Sequence, residues 1–207
     1  MSPTPATVFI IDDDELVLGA LEALVTSVGL RAETYISPRQ FLSGYQPTHE
    51  GCVILDMRLP GMSGLELQAA LKAQAIDLPV IVISGYGDVS SAVRAMKAGA
   101  VDFFQKPIDG QLLLEAIQRA VAAGAARSSA RAEAEAVRSL LASLSPRERD
   151  VLDGVLSGEP NKRIAGRLGI AEKTVEAHRA RLMSKLEARN IVDLVKKVLL
   201  ASPEGLP

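Results

Sequence analysis

Residues 52–67, CVILDMRLPGMSGLEL, carry the reading that decides the fold. A β-rich apolar run, Val53-Ile54-Leu55, stops at a carboxylate, Asp56, and helical spacing takes over at residues 65–71. The same change recurs on both sides. Val8-Phe9-Ile10-Ile11 ends in Asp12-Asp13-Asp14, and Val80-Ile81-Val82-Ile83 ends in Ser84-Gly85. Runs that are apolar at nearly every position belong to strands buried on both faces, as in a parallel sheet. Weaker strands are expected at residues 31–35 and 101–104. Helical periodicity marks Leu16, Ala20, Leu21, Leu24, Val25 and Val28, and then residues 65–71, 89–98 and 112–120. Five strands alternating with helical stretches make an α/β, doubly wound, five-stranded parallel sheet.

Past residue 121 the composition changes. Residues 122–143 are rich in Ala, Ser, Arg and Glu with Gly124 as the one breaker, which suits a helical linker. The remainder, residues 144–207, has no strand signal and is punctuated by Gly. Ser145-Pro146-Arg147-Glu148 fits a capping box that opens one helix. Asn161 is placed to cap a second helix ending near Leu168-Gly169, and two more are expected at residues 172–186 and 190–200. The domains are therefore expected at 1–121 and 144–207, the second an all-α four-helix unit.

Charge divides along the same line. Residues 1–123 hold 8 basic and 14 acidic side chains, and residues 124–207 hold 15 and 11, so a net charge of −2 hides an acidic half and a basic half. The basic half is the candidate for nucleic acid. No apolar run reaches the roughly 18 residues needed to span a bilayer. Residues 1–7 lack the basic and apolar regions of a signal peptide. With one cysteine, Cys52, no internal disulfide framework exists, and a buried place beside a strand is its expected role. A soluble, cytoplasmic protein without a membrane partner is expected.

In an open parallel sheet, functional side chains gather beyond the carboxyl ends of the strands. That rule assembles Asp12, Asp13 and Asp14 with Asp56, Ser84 and Lys106-Pro107. Turns rich in Asp would account for Asp12-Asp13 alone, but not for the whole set at four strand ends. Crowded carboxylates need a cation, and oxygen ligation suits a hard ion such as Mg²⁺. One carboxylate can then attack a phosphoryl group while a lysine and a hydroxyl hold its oxygens.

These stretches carry a resemblance. IIDDDE, CVILDMRLPGMSGLEL, VIVISGYGD and GAVDFFQKP, within residues 7–121, resemble the receiver domain of two-component response regulators. The resemblance implies that Asp12 and Asp13 are the metal-binding acidic pair and Asp56 the phosphoacceptor. Arg58 would lend its backbone carbonyl to Mg²⁺, and Ser84 and Lys106 would hold the phosphoryl group. Pro107 would follow a cis peptide bond, and Phe103 would be an aromatic switch beside the fifth strand. Asp14 and Glu15 are read as helix N-terminal charges. A histidine kinase would supply the phosphoryl group. Ser84 would then follow it, and Phe103 would turn inward, repacking residues 90–120. An ordinary core aromatic is the plainer reading of Phe103.

Residues 144–201, through LSPRERDVLDGVLSGEPNKRIAGRLGIAEKTVEAHRARLMSKLEARN, resemble the LuxR/FixJ/NarL-type helix-turn-helix domain. The two in this order resemble FixJ-type response regulators. In such a domain the second helix of the motif enters the major groove. Val175, Leu182 and Leu186 have core spacing on it, with Met183 beside them. The resemblance offers Lys173, Thr174, Glu176, Ala177, Arg181 and Lys185 for contact with double-stranded DNA, and Lys162 for a backbone phosphate. Arg179 lies on the same exposed face, and His178 is expected to pack or touch phosphate. Ile191, Leu194, Val195 and Val198 would form a dimerisation helix, joined when the receiver is phosphorylated. Ala171 stands where the family usually caps the recognition helix with Ser, a loss of about 0.5–2 kcal/mol locally. Tyr86 stands where His is frequent, which leaves kinase pairing or phosphate lifetime open.

Two other readings compete. A haloacid dehalogenase-like phosphatase would use Asp12, Asp14, Ser84 and Lys106, but the acid at Asp88 precedes the lysine and lacks its pair. It also leaves Asp56 and the basic half without a role. A DNA-binding protein with a pseudo-receiver would function without phosphorylation at Asp56.

Overall fold

The computed structural model describes residues 6–46, 50–85 and 89–201. It packs as two units, Met1–Ser128 and Ser129–Pro207. In the first, β1 (Thr7–Ile11), β2 (Arg31–Tyr35), β3 (Gly51–Asp56), β4 (Val80–Ser84) and β5 (Asp102–Gln105) form one parallel sheet in the order β2-β1-β3-β4-β5. Strands β1, β3 and β4 are buried at every position, which is why their sequences run apolar without alternation. One face packs on α1 (Glu15–Ser27) through Leu18, Leu21 and Val25, and on α5 (Gly110–Ala142) through Leu113 and Ile117. The other carries α2 (Pro38–Gly44), α3 (Gly64–Ala73) and α4 (Val89–Ala98), with Phe41, Leu67, Leu71 and Ala95 against Phe9, Val53 and Val82.

Hydrophobic spacing does not locate α2, because only Pro38 and Phe41 are buried in its seven residues. Its signal is the start: Ser37 caps the Gln40 N–H and Pro38 occupies the first turn. Helix α5 runs unbroken through Gly124. The helix passes close to the sheet there, since a Cβ on that residue would stand 3.1 Å from the Gly51 carbonyl oxygen and 3.2 Å from the Pro79 ring, tighter than ordinary contact.

The second unit contains α6 (Pro146–Leu156), α7 (Asn161–Leu168), α8 (Glu172–Lys185) and α9 (Ile191–Ala201) around Val151, Leu152, Ile164, Val175, Leu182, Leu186, Leu194 and Val198. Ser145 and Glu148 form the expected capping box. Two expectations are corrected here. Asn161 does not cap α7: Pro160 holds the extended N-cap position, and the Asn161 side chain is taken by Arg179. Leu194 and Val198 cannot lie on an outward dimer face, because both are buried in the unit's own core. The apolar residues that α9 leaves exposed are Ile191, Val192 and Leu199, with Val195 half-buried. No helix among the described residues is long and apolar enough to cross a membrane.

Candidate functional site

The chain leaves β1 toward one side of the sheet and resumes with β3 on the other, so the carboxyl ends of β1 and β3 flank a topological switch point. Asp12 follows β1 and Asp56 ends β3, side by side. Both are buried, at 1% and 5% exposure. One ammonium bridges them: Lys106 Nζ lies 2.6 Å from Asp12 Oδ2 and 2.9 Å from Asp56 Oδ1. The lysine is carried there by the turn after β5, where its N–H donates to the Ser84 carbonyl at 2.8 Å and the Lys106–Pro107 bond is cis. Ser84, the last residue of β4, is buried beside this turn.

The rest of the pocket is held by backbone. The Arg58 N–H donates to Asp56 Oδ2. The Asp14 N–H donates to Asp12 Oδ1 at 3.0 Å, while the Asp14 carboxylate caps α1 by accepting from the Leu16 N–H. Gly64 lies so near β3 that a Cβ would stand 2.6 Å from the Asp56 carbonyl oxygen, so only glycine lets α3 start there. Burial raises the Asp12 pKa despite opposition from Lys106 and the Asp14 amide. Burial alone would lower that of Lys106, but hydrogen bonds and charge from Asp12 and Asp56 outweigh it and hold the ammonium above its ordinary value.

Asp13 is exposed and does not join this pair. Among the described residues, no three His, Cys, Asp or Glu side chains gather as a metal site. Two carboxylates in reach of one cation, with backbone carbonyl and water to complete the shell, nevertheless suit Mg²⁺, which is bound through one or two carboxylates and keeps several waters. Phe103 is half-buried and packs on the side of α2 to α4, whereas Phe104 packs with α1 and α5. Cys52 is fully buried, and burial pushes its thiol up to about 12, which leaves it inert. Tyr86 and Asp88 lie outside the described residues.

On α8, Val175 and Leu182 face the core while Lys173, Thr174, Glu176, Ala177 and Arg181 are exposed, and Lys162 on α7 is exposed too. Ala171 stands at the N-cap without a side-chain bond. Its carbonyl accepts from the N–H groups of Thr174 and Val175, at 2.9 and 3.2 Å. His178 is half-buried, with Nδ1 enclosed and unpartnered. Lys185 is exposed with the rest of the expected set and makes one further contact. Its ammonium sits on Glu148 Oε2 at 2.8 Å, within the unit. Charge spacing on one helix could not reveal that partner, 37 residues away.

The geometry can be set beside known proteins. Residues 8–118 match the family model described as the response regulator receiver domain, and residues 142–198 that of bacterial regulatory proteins, luxR family. Nodulation protein W of Bradyrhizobium diazoefficiens is 42% identical over 193 residues, covering 93% of this chain and 85% of that protein. The transcriptional regulatory protein FixJ of Rhizobium meliloti is 42% identical over 196 residues, covering 95% and 96%. Among solved structures, the response regulator StyR superposes with a TM-score of 0.85 at 44% identity, covering 94% of this chain and 98% of that one.

Proposed function

This chain belongs to the two-component response regulators that join a receiver to a LuxR-type DNA-binding domain, and on that premise we propose that phosphorylation of Asp56 controls its binding to DNA. The observation that carries the proposal is the single ammonium of Lys106 shared by Asp12 and Asp56 at the switch point. A histidine kinase presents a phosphohistidine. An Asp56 oxygen attacks phosphorus in line, the new O–P bond forming as the P–N bond breaks and the imidazole nitrogen keeps the electron pair. Asp12, Asp56 and the Arg58 carbonyl would hold Mg²⁺, with Asp13 the further candidate of the acidic pair; when bound, the ion would supply charge neutralisation for the transferring group. Lys106, already beside the acceptor oxygen, then takes a phosphoryl oxygen, and Ser84 donates to another.

The product carries more negative charge than the carboxylate it replaces, and it favours whichever arrangement of Ser84, Phe103 and residues 90–120 binds it better. In the second unit, Lys173, Thr174, Glu176, Ala177 and Arg181 read and position on DNA, with Lys162 on a phosphate. Ile191, Val192, Val195 and Leu199 supply the self-association face, giving a two-fold site with half-sites about one helical turn apart. Sedimentation and DNA titration at fixed salt, with and without acetyl phosphate and Mg²⁺, test this. A rise in mass and affinity is expected from the native chain and not from Asp56→Asn; equal behaviour of the two would favour a pseudo-receiver.

A further inference from the structure

Three basic side chains around the C-terminal half of α8 are bonded inside the domain. Arg179 Nη1 donates to Asn161 Oδ1 of α7 at 2.6 Å. Lys197 Nζ, from α9, donates to the carbonyls of Leu186 and Glu187, both at 2.9 Å. Lys185 Nζ donates to Glu148 Oε2 at 2.8 Å and reaches the Ser143 carbonyl at 3.4 Å. Glu148 is 4% exposed. The same Oε2 accepts from the Ser145 N–H at 2.8 Å and its hydroxyl at 2.9 Å. One carboxylate thus joins the chain leaving α5, the first turn of α6 and the last turn of α8.

Apolar packing through Val175, Leu182 and Leu186 keeps α8 on the core, but such contacts are non-directional. A helix that reads base edges needs its angle fixed more tightly, and charge-assisted hydrogen bonds supply direction. We propose that the Glu148–Lys185 bond is the positioning contact of the recognition helix, so that Lys185 governs sequence discrimination without touching DNA. This rests on the reading that α8 lies on DNA, and the test separates the two.

The probe is a duplex selected from a random pool by the full-length protein treated with acetyl phosphate and Mg²⁺; an unrelated duplex is the reference. Lys185→Gln and Glu148→Gln are each expected to lower the ratio of specific to non-specific affinity about tenfold, the worth of one well-made base contact. The double variant should be no worse than either single one. Lys185→Arg, which keeps a donor for Glu148, should recover part of the ratio. The slope of log affinity against log salt should match the native slope in all of these. Arg181→Gln, a proposed phosphate or base contact, should instead reduce that slope by about 0.9. Circular dichroism establishes that each variant is folded, and nearly isosteric Glu148→Gln serves should Lys185→Gln unfold. An unchanged ratio would make the bond a plain fold contact and overturn the proposal. A drop of about 0.9 in slope for Lys185→Gln would do so by placing the lysine on a phosphate. Should Arg181→Gln change neither slope nor affinity, the reading that α8 lies on DNA fails first.

Discussion

Leu194 and Leu199 lie on the same helix, and the structure assigns them opposite fates. Leu194 is 0% exposed in the core of the second unit, and Leu199 is 45% exposed on the outer face of α9. Leu194→Ala removes a buried isobutyl group and leaves a cavity, a loss of about 2–5 kcal/mol. With about 1.4 kcal/mol to each factor of ten, the open population of the unit should rise from about thirty-fold to a few thousand-fold. Leu199→Ala leaves no cavity, and its effect on folding should stay within about 0.5 kcal/mol. Amide hydrogen exchange of the full-length chain, followed by mass spectrometry on peptides from α6 to α9, reads both changes without assuming that the two units unfold together. Paired with Ile191→Ala, Leu199→Ala should weaken the dimer of the phosphorylated protein while leaving exchange near native. The reasoning is refuted if Leu194→Ala keeps native protection yet abolishes dimerisation, since that leucine would then belong to the interface.

The remaining predictions concern charge. The Lys185 and Ser145 contacts pull the Glu148 carboxyl down to about 2 from an ordinary 4.5. A depressed carboxylate stabilises the fold above its unfolded value, so this contribution should be complete above about pH 4.5 and fade as pH falls toward 2. Acid titration of helicity should show Glu148→Gln lacking that step; an identical acid profile would deny the contact. In the receiver, Asp12→Asn should weaken Mg²⁺ binding in calorimetry while Lys106 keeps its bond to Asp56, and unchanged affinity would remove Asp12 from the cation site. Lys106→Met leaves two buried carboxylates unneutralised. It should slow phosphoryl transfer and strengthen Mg²⁺ binding, with a native transfer rate as the contrary result.

Much of this was legible because the informative runs are central strands. Buried on both faces, β1, β3 and β4 are apolar at nearly every position, and the residue that ends each run stands at the functional edge. Asp12 and Lys106 are 94 positions apart, yet the strand-end rule brings them together. What resisted reading depends on contacts across helices. Asn161 looks like a cap by type, but Arg179 claims its oxygen and the chain enters α7 through Pro160. Helix α9 is apolar on more than one side, so spacing alone does not say which leucines face the core. The bond from Lys185 to Glu148 was not legible, because its partner lies on another helix. Asp13 belongs to the acidic run by sequence, but unlike Asp12 it is exposed.

The central claim is that Asp56 is the residue that accepts phosphorus, and reductive trapping tests it most directly. Protein treated with acetyl phosphate and Mg²⁺ is reduced with borohydride, which converts an acyl phosphate to an alcohol, and the altered residue is located by peptide mass spectrometry. The account predicts conversion at position 56 alone, absent without Mg²⁺ and absent in Asp56→Asn. Conversion at Asp12 with Asp56 untouched would contradict it and point to the phosphatase chemistry instead.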